Sequence, residues 1–475
     1  MSVIPSPLPA PDVSRGLVCR HGGASGIPLV FLLLSLLSSC LFAVVNPPFM
    51  VPDEQQHFAR AYQLAFASGR VVVQDGRAGA ELPASIIELS DTFLHTRDLH
   101  GRRVVESHPT AEMLASLQRP LDPGRTIFVD FSGAAFYSPL PYLPQLAGLT
   151  LARWAGQGPG GLFYAGRLVN AMCASLLAWL AIRIVRGGAV GLAVIGLLPM
   201  TQYLFGSLSP DASVVACSML AIGVVSSAVA AGRWSVLQLG LAIAAGLVVC
   251  SLKPVYAPLL LVGAVGTWRQ AGLRHAVVVY GVLVSVVVGC TLAWLSLSKS
   301  IFVQPVQGTD AAGQLAHVLA RPQDFALAFV HAVQAYWPQW LFGVLGLFGW
   351  LNLSLPILTY LLVLFTLCAS VSAAPLSDAA PGRPEAVWTL LMVLAAGGLV
   401  VVALYIYWTP VGAPIVEGIQ GRYFLPLAGA SMFCLNGWLG QRSGRWRRAA
   451  PMLLVGAFIL ALSSVVTIIR AYDVV

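Results

Sequence analysis

The segment Val51-Pro52-Asp53-Glu54-Gln55-Gln56-His57-Phe58-Ala59-Arg60-Ala61-Tyr62-Gln63 holds two carboxylates, an imidazole and a guanidinium in one short stretch. It reads as a helix: Pro52 sits at or next to the first helical position, Asp53 and Glu54 fall in the first turn, and Gly69 is a plausible C-terminal cap. At about 100° per residue, Asp53, Gln56, His57 and Arg60 share a stripe. Such a stripe could take a proton from a hydroxyl, hold a hard cation or bind a phosphate. The plainer explanation of Asp-Glu after Pro is helix capping, which on spacing alone is the stronger one.

Three ionisable residues later in the chain add weight to the chemical reading. Asp211 stands in Ser207-Leu208-Ser209-Pro210-Asp211-Ala212, Lys253 in Leu252-Lys253-Pro254-Val255-Tyr256, and Arg422 in Gln420-Gly421-Arg422-Tyr423-Phe424. Each lies at the edge of an apolar run, where a cap, a snorkelling anchor or a headgroup contact would also account for it. With Asp53 they outline an outward cavity with two acids and two bases. The aromatic and proline-rich stretches Phe136 to Tyr142 and Tyr336 to Trp340 read first as an interfacial belt and second as contacts to a sugar or a prenyl chain.

The elements that must position these residues are set by composition. Of 475 residues, 57% are hydrophobic and 10% charged, against roughly 25% charged in soluble domains, and mean hydropathy is +0.80. A soluble globular enzyme is excluded, and no ten-residue alternation suggests a barrel, so the chain reads as an all-α polytopic membrane protein. Apolar runs fall near 27–45, 163–182, 188–206, 211–231, 235–251, 254–268, 275–297, 354–373, 387–408, 423–440 and 450–470, giving about eleven spans. Tyr137–Trp154 and Trp337–Leu353 are short or proline-interrupted and read as interfacial or re-entrant pieces, which makes the range 11–13.

The first run ends in Asn46-Pro47-Pro48 rather than a cleavage site and reads as a retained helix. Residues 1–26 read as a disordered cytoplasmic tail. With the N-terminus inside, the inner segments carry Arg15, Arg20, Arg183, Arg186, Arg233, Arg269, Arg274, Arg383, Arg442, Arg445, Arg447 and Arg448 against Asp12, Asp378 and Glu385. That bias sets the orientation. The 46–136 loop, with short juxtamembrane helices and 11 of the 19 acidic residues, then faces outward, as does a second loop at 298–336. The net charge of +8 follows from these inner arginines, so nucleic acid is not an expected partner. The eight cysteines lie in or beside apolar runs without metal-ligand spacing.

The order of Pro52-Asp53-Glu54, His57, Arg60-Ala61-Tyr62-Gln63, Ser138-Pro139-Leu140-Pro141-Tyr142, Ser209-Pro210-Asp211, Lys253-Pro254 and Gly421-Arg422-Tyr423-Phe424-Leu425-Pro426 resembles the GT-C superfamily of polytopic glycosyltransferases. It is most similar to the bacterial membrane family known as domain of unknown function 2142 (DUF2142), over residues 27–440. The resemblance implies a GT-C-like bundle in a bacterial inner membrane with its site on the periplasmic face. The implied donor is a sugar on a polyprenyl phosphate such as undecaprenyl phosphate, and the implied acceptor a hydroxyl of a glycan, lipid or protein. By the same resemblance Asp53, Glu54 and Asp211 form the catalytic set, Lys253, Arg422 and Arg60 meet the donor phosphate, and His57, Tyr62, Tyr142 and Tyr423 support them. A divalent ion (Mg, Mn or Ca) on Asp53, Asp211 and His57 is left open, since some relatives are metal-assisted and others are not. A flippase for a lipid-linked glycan is the main competing reading. Acidic residues gathered on one outer loop and the lack of an internal repeat weigh against it. An O-antigen ligase or polymerase would place its chemistry in a late loop.

Overall fold

A computed structural model describes residues 26–67, 70–94, 98–99, 102–103, 111–303, 308–373, 382–439 and 449–472. Nearly all of the N-terminal tail, Ser68-Gly69, Asp378 and the basic run Arg442 to Arg448 lie outside the described residues.

The protein is mostly helical, and among the described residues six helices are long and apolar enough to cross a membrane: Ile27–Val45, Pro159–Ile184, Asp211–Ala230, Leu273–Ile301, Arg383–Tyr407 and Ala450–Tyr472. Val236–Leu252 and Ile357–Val371 are apolar but shorter. By length and composition these helices are suited to face lipid. The first helix shows how they are built. Leu29, Leu33, Leu37 and Val44 project outward, while Phe31, Ser35, Ser38, Ser39 and Phe42 are buried against Pro159–Ile184 and Ala450–Tyr472. Apolar residues outside and small or hydroxyl residues inside suit packing in lipid. Ser35 bonds Ser175 (2.9 Å) and accepts from Gln202 Nε2 (3.0 Å).

Prolines break two of the expected runs. The 188–206 run becomes Ala189–Gly196 and Pro199–Phe205, and the 254–268 run a 3₁₀ segment Pro254–Leu261, with Pro258 inside it, followed by Ala264–Ala271. Gln202 Nε2 donates to the Gly196 carbonyl at the first break, satisfying a carbonyl that the helix no longer uses.

Two expectations need correction. The class is not purely α, because the 46–136 segment contains an antiparallel three-stranded sheet of Val72–Gln74, Arg77–Pro83 and Thr126–Asp130 with the second strand central. Asp75 and Gly76, both at positive φ, make its tight hairpin. The 298–336 stretch is largely helical rather than loop. Asp310 caps Ala311–Ala320 by accepting from Ala312 N (3.1 Å), and Pro322 then opens the long helix Pro322–Leu345.

Candidate functional site

The site forms where the chain leaves the first helix. Val51-Pro52 leads into the helix Glu54–Phe66, which ends at Ala67, short of the expected Gly69 cap. Asp53 is the N-cap by position, yet its side chain makes no capping bond, and its φ of 66° puts it in the left-handed region. Phe49, four residues earlier, has φ 65°. For non-glycine residues this costs about 1 kcal/mol or more each, and such strain tends to gather at functional sites. Capping therefore does not explain Asp53. Its carboxylate is 47% exposed and turns toward Arg422, whose Nη2 lies 3.3 Å from Oδ2.

Arg422 is supplied from far along the chain by the 3₁₀ turn Gly421–Phe424. Gly421 lets that turn press against the helix Pro322–Leu345, since a Cβ there would run into the Trp340 carbonyl. Arg422 is buried, not an exposed headgroup contact. Nε donates to Gln420 Oε1 (2.7 Å), and Nη1 lies 3.8 Å from Asp211 Oδ2 without making a hydrogen bond. Burial works against its charge, but Tyr423, Asp211 and Asp53 outweigh this and hold the guanidinium more firmly protonated than usual.

Asp211 begins the helix Asp211–Ala230, and its carboxylate accepts from Lys253 Nζ (2.9 Å). Lys253 ends the helix Val236–Leu252, where Pro254 forces the preceding residue into an extended conformation that points its side chain at Asp211 instead of at lipid. Nζ lies 4.2 Å from the centre of the Tyr423 ring, a cation–π contact, and Tyr256 fixes Tyr423 by donating to its carbonyl (2.7 Å). Asp53, Asp211, Lys253, Arg422 and Tyr423 thus converge from four separate segments.

The wall beside them is aromatic. His57 Nδ1 is 2.8 Å from the Tyr142 hydroxyl, and its ring stacks near Tyr137 at 6.3 Å between centroids. Burial, with smaller contributions from Arg422 and Lys253, pushes the imidazole down to about 4 against the opposing pull of Asp53 and Asp211. His57 is therefore neutral at pH 7, and burial keeps the Tyr142 phenol protonated. Between pH 6.5 and pH 4 the unfolded chain takes up a proton that the folded imidazole refuses, so folded stability falls as pH drops through this window. Melting temperature in detergent should decline more steeply there than for His57→Gln, and parallel curves would mean the ring titrates as if in water.

Other expected residues lie elsewhere. Glu54 is turned away from the pocket and fully buried, with Arg167 Nη2 at 2.6 Å from Oε2. Its two oxygens also accept from Arg167 Nε (2.9 Å), Phe49 N (3.1 Å) and Leu208 N (2.9 Å), which saturates the carboxylate away from the pocket. Arg60 spends Nη1 on Gln63 Oε1 (2.6 Å) and Nη2 on the Tyr137 carbonyl (3.0 Å), so it braces the wall and is not presented to a phosphate. Tyr62 packs on Phe66 in the core of the 46–136 segment. Sequence reasoning missed Arg167, Gln420 and Tyr256.

Among the described residues no group of three or more His, Cys, Asp or Glu could hold an ion. Arg422 bridges the two carboxylates, and Lys253 occupies Asp211. As arranged, this donor set does not fit a divalent cation, because two side-chain cations already neutralise the two acids.

A family profile described as "Predicted membrane protein (DUF2142)" matches residues 36–430. No curated protein and no solved structure matches the chain.

Proposed function

The chain belongs to the DUF2142 family of predicted membrane proteins, and from that premise we propose that it is a GT-C-type glycosyltransferase using a polyprenyl-phosphate sugar. The observation that carries this reading is the meeting of Asp53, Asp211, Lys253 and Arg422 at one end of a lipid-facing helical bundle. Asp53, the most exposed of the four, is the general base. The acceptor hydroxyl oxygen attacks the anomeric carbon as its proton passes to the Asp53 carboxylate. The bond from that carbon to the phosphate oxygen breaks, and the electron pair leaves on the phosphate, stabilised by Lys253 and by the Arg422 Nη1 that makes no other hydrogen bond. Asp211 balances the charge of both cations. Donor binding draws Arg422 toward the phosphate and loosens its hold on Asp53, which readies the base only when donor is present.

The membrane reading agrees with this. Beside the six long helices and two shorter apolar ones, the segments 189–205, 254–271 and 425–439 are read as further passages, which would bring the number to eleven. With the arginine-rich connections inside, the site end faces the periplasm of a bacterial inner membrane. Tyr256 also lines a small apolar cleft with Ser218, Val249, Leu260, Leu283 and Pro426. The acceptor is a hydroxyl of an envelope glycan, lipid or protein.

The test is transfer from radiolabelled undecaprenyl-phosphate sugars by the protein in nanodiscs. Lys253→Met should raise the donor KM about 10- to 100-fold, the worth of one charge-assisted hydrogen bond of about 1.5–3 kcal/mol. An unchanged KM would remove Lys253 from the phosphate site, and absence of transfer with every such donor would defeat the assignment.

A further inference from the structure

Glu54 and Arg167 are the only pair of opposite charges among the described ion pairs whose side chains are both wholly buried, and the activity proposed above does not use them. Their placement is informative. One oxygen of Glu54 accepts from Phe49 N, in the strained loop that ends at Asp53, and the other accepts from Leu208 N, three residues before Asp211. A single carboxylate thus ties together the two backbone segments that carry the two pocket carboxylates. Arg167 reinforces the first tie and Asn170 the second. Nη1 donates to the carbonyls of Ala43 (3.1 Å) and Asn46 (2.6 Å), and Nη2 to that of Pro47 (3.2 Å), which fixes the chain entering the Asp53 loop. One turn further along the same helix, Asn170 Nδ2 donates to the Ser207 carbonyl (2.7 Å) and to that of Ser209 (3.3 Å), which fixes the chain entering Asp211. The Phe163 ring packs under the guanidinium at 4.5 Å.

We propose that Glu54 and Arg167 are positioning residues that set the separation of Asp53 from Asp211, so that one Arg422 can span both. The proposal rests on the transferase reading for its catalytic consequence, but its geometric core does not. Lys253 and Arg422 are held by other elements, the end of Val236–Leu252 and the Gly421–Phe424 turn. Loosening the pair therefore displaces the base relative to the phosphate site without dismantling the cations, and a displacement near 1 Å can cost about 100-fold in rate. The signature is a loss in kcat with donor KM held.

The test uses Glu54→Gln/Arg167→Met, which leaves no unpaired buried charge, with Arg167→Lys as a second variant that keeps the charge but not the planar fork. Two measurements are made on the full chain in nanodiscs: kcat and donor KM with undecaprenyl-phosphate sugars, and the rate of cross-linking of Asp53→Cys/Asp211→Cys by a short bis-methanethiosulfonate in a background with the eight native cysteines replaced. We expect kcat to fall about 10- to 100-fold with KM within about two-fold, and cross-linking to slow several-fold, the single variant lying between wild type and double. A folded double variant with wild-type kcat and wild-type cross-linking overturns the proposal, and so does a wild-type Arg167→Lys if the double does not fold. Slowed cross-linking in a protein that never transfers sugar upholds the positioning and defeats the transferase reading.

Discussion

Asp53→Asn will lower transfer at least about 100-fold while leaving the protein folded, inserted and able to bind donor. The size follows from what a positioned base contributes, about 10²- to 10⁴-fold. Asn is the informative substitution because it tolerates the left-handed conformation that Asp53 adopts and nearly matches its shape, so the change is confined to charge and proton affinity. Asp53→Gly makes the complementary case. Glycine relieves the φ of 66°, so this variant should melt at or above the wild-type temperature although it too has lost the base. Activity and stability then move in opposite directions at one residue, as expected where strain is kept for function. Normal turnover by Asp53→Asn would remove the base, and with it the mechanism.

How far the sequence reveals this site depends on where each residue sits relative to the apolar runs. Asp211, Lys253 and Arg422 are legible because each is a lone charge at the edge of a run, where lipid leaves few alternatives to a partner. That Lys253 and Arg422 share Asp211 is not legible, because it depends on Pro254 bending one helix end and Gly421 admitting another helix. Glu54 looks equivalent to Asp53 in sequence. The two separate only because a positive φ at Asp53 directs adjacent side chains to opposite sides, one to Arg422 and one to Arg167. The small sheet escapes a reading built on apolar runs, although Asp75-Gly76 is a strong hairpin signal. The broken helices, in contrast, are written in Pro199 and Pro258.

Arg167 is legible in principle: an arginine inside an apolar helix must find an acid, and the nearest candidate acids lie in the loop before it. The energetic consequence is large. Arg167→Ala leaves the Glu54 carboxylate with no exposure and no counter-charge, and strips donors from the carbonyls of Ala43, Asn46 and Pro47. Breaking a buried pair from one side costs about 3–5 kcal/mol, a large share of the 5–15 kcal/mol that holds a typical domain together. Arg167→Ala and Glu54→Ala should each cut the yield of correctly inserted protein and lower its melting temperature sharply. Glu54→Gln/Arg167→Met should melt higher than either, because removing both charges also removes the desolvation penalty. Comparison of the double variant with wild type then separates an ion pair that stabilises by its own attraction from one retained for geometry. Were the pair a source of net stability, the double variant would melt below wild type. If it melts at or above wild type, the energy spent on burying two charges is repaid elsewhere, in the fixed spacing of the carboxylates that flank Arg422.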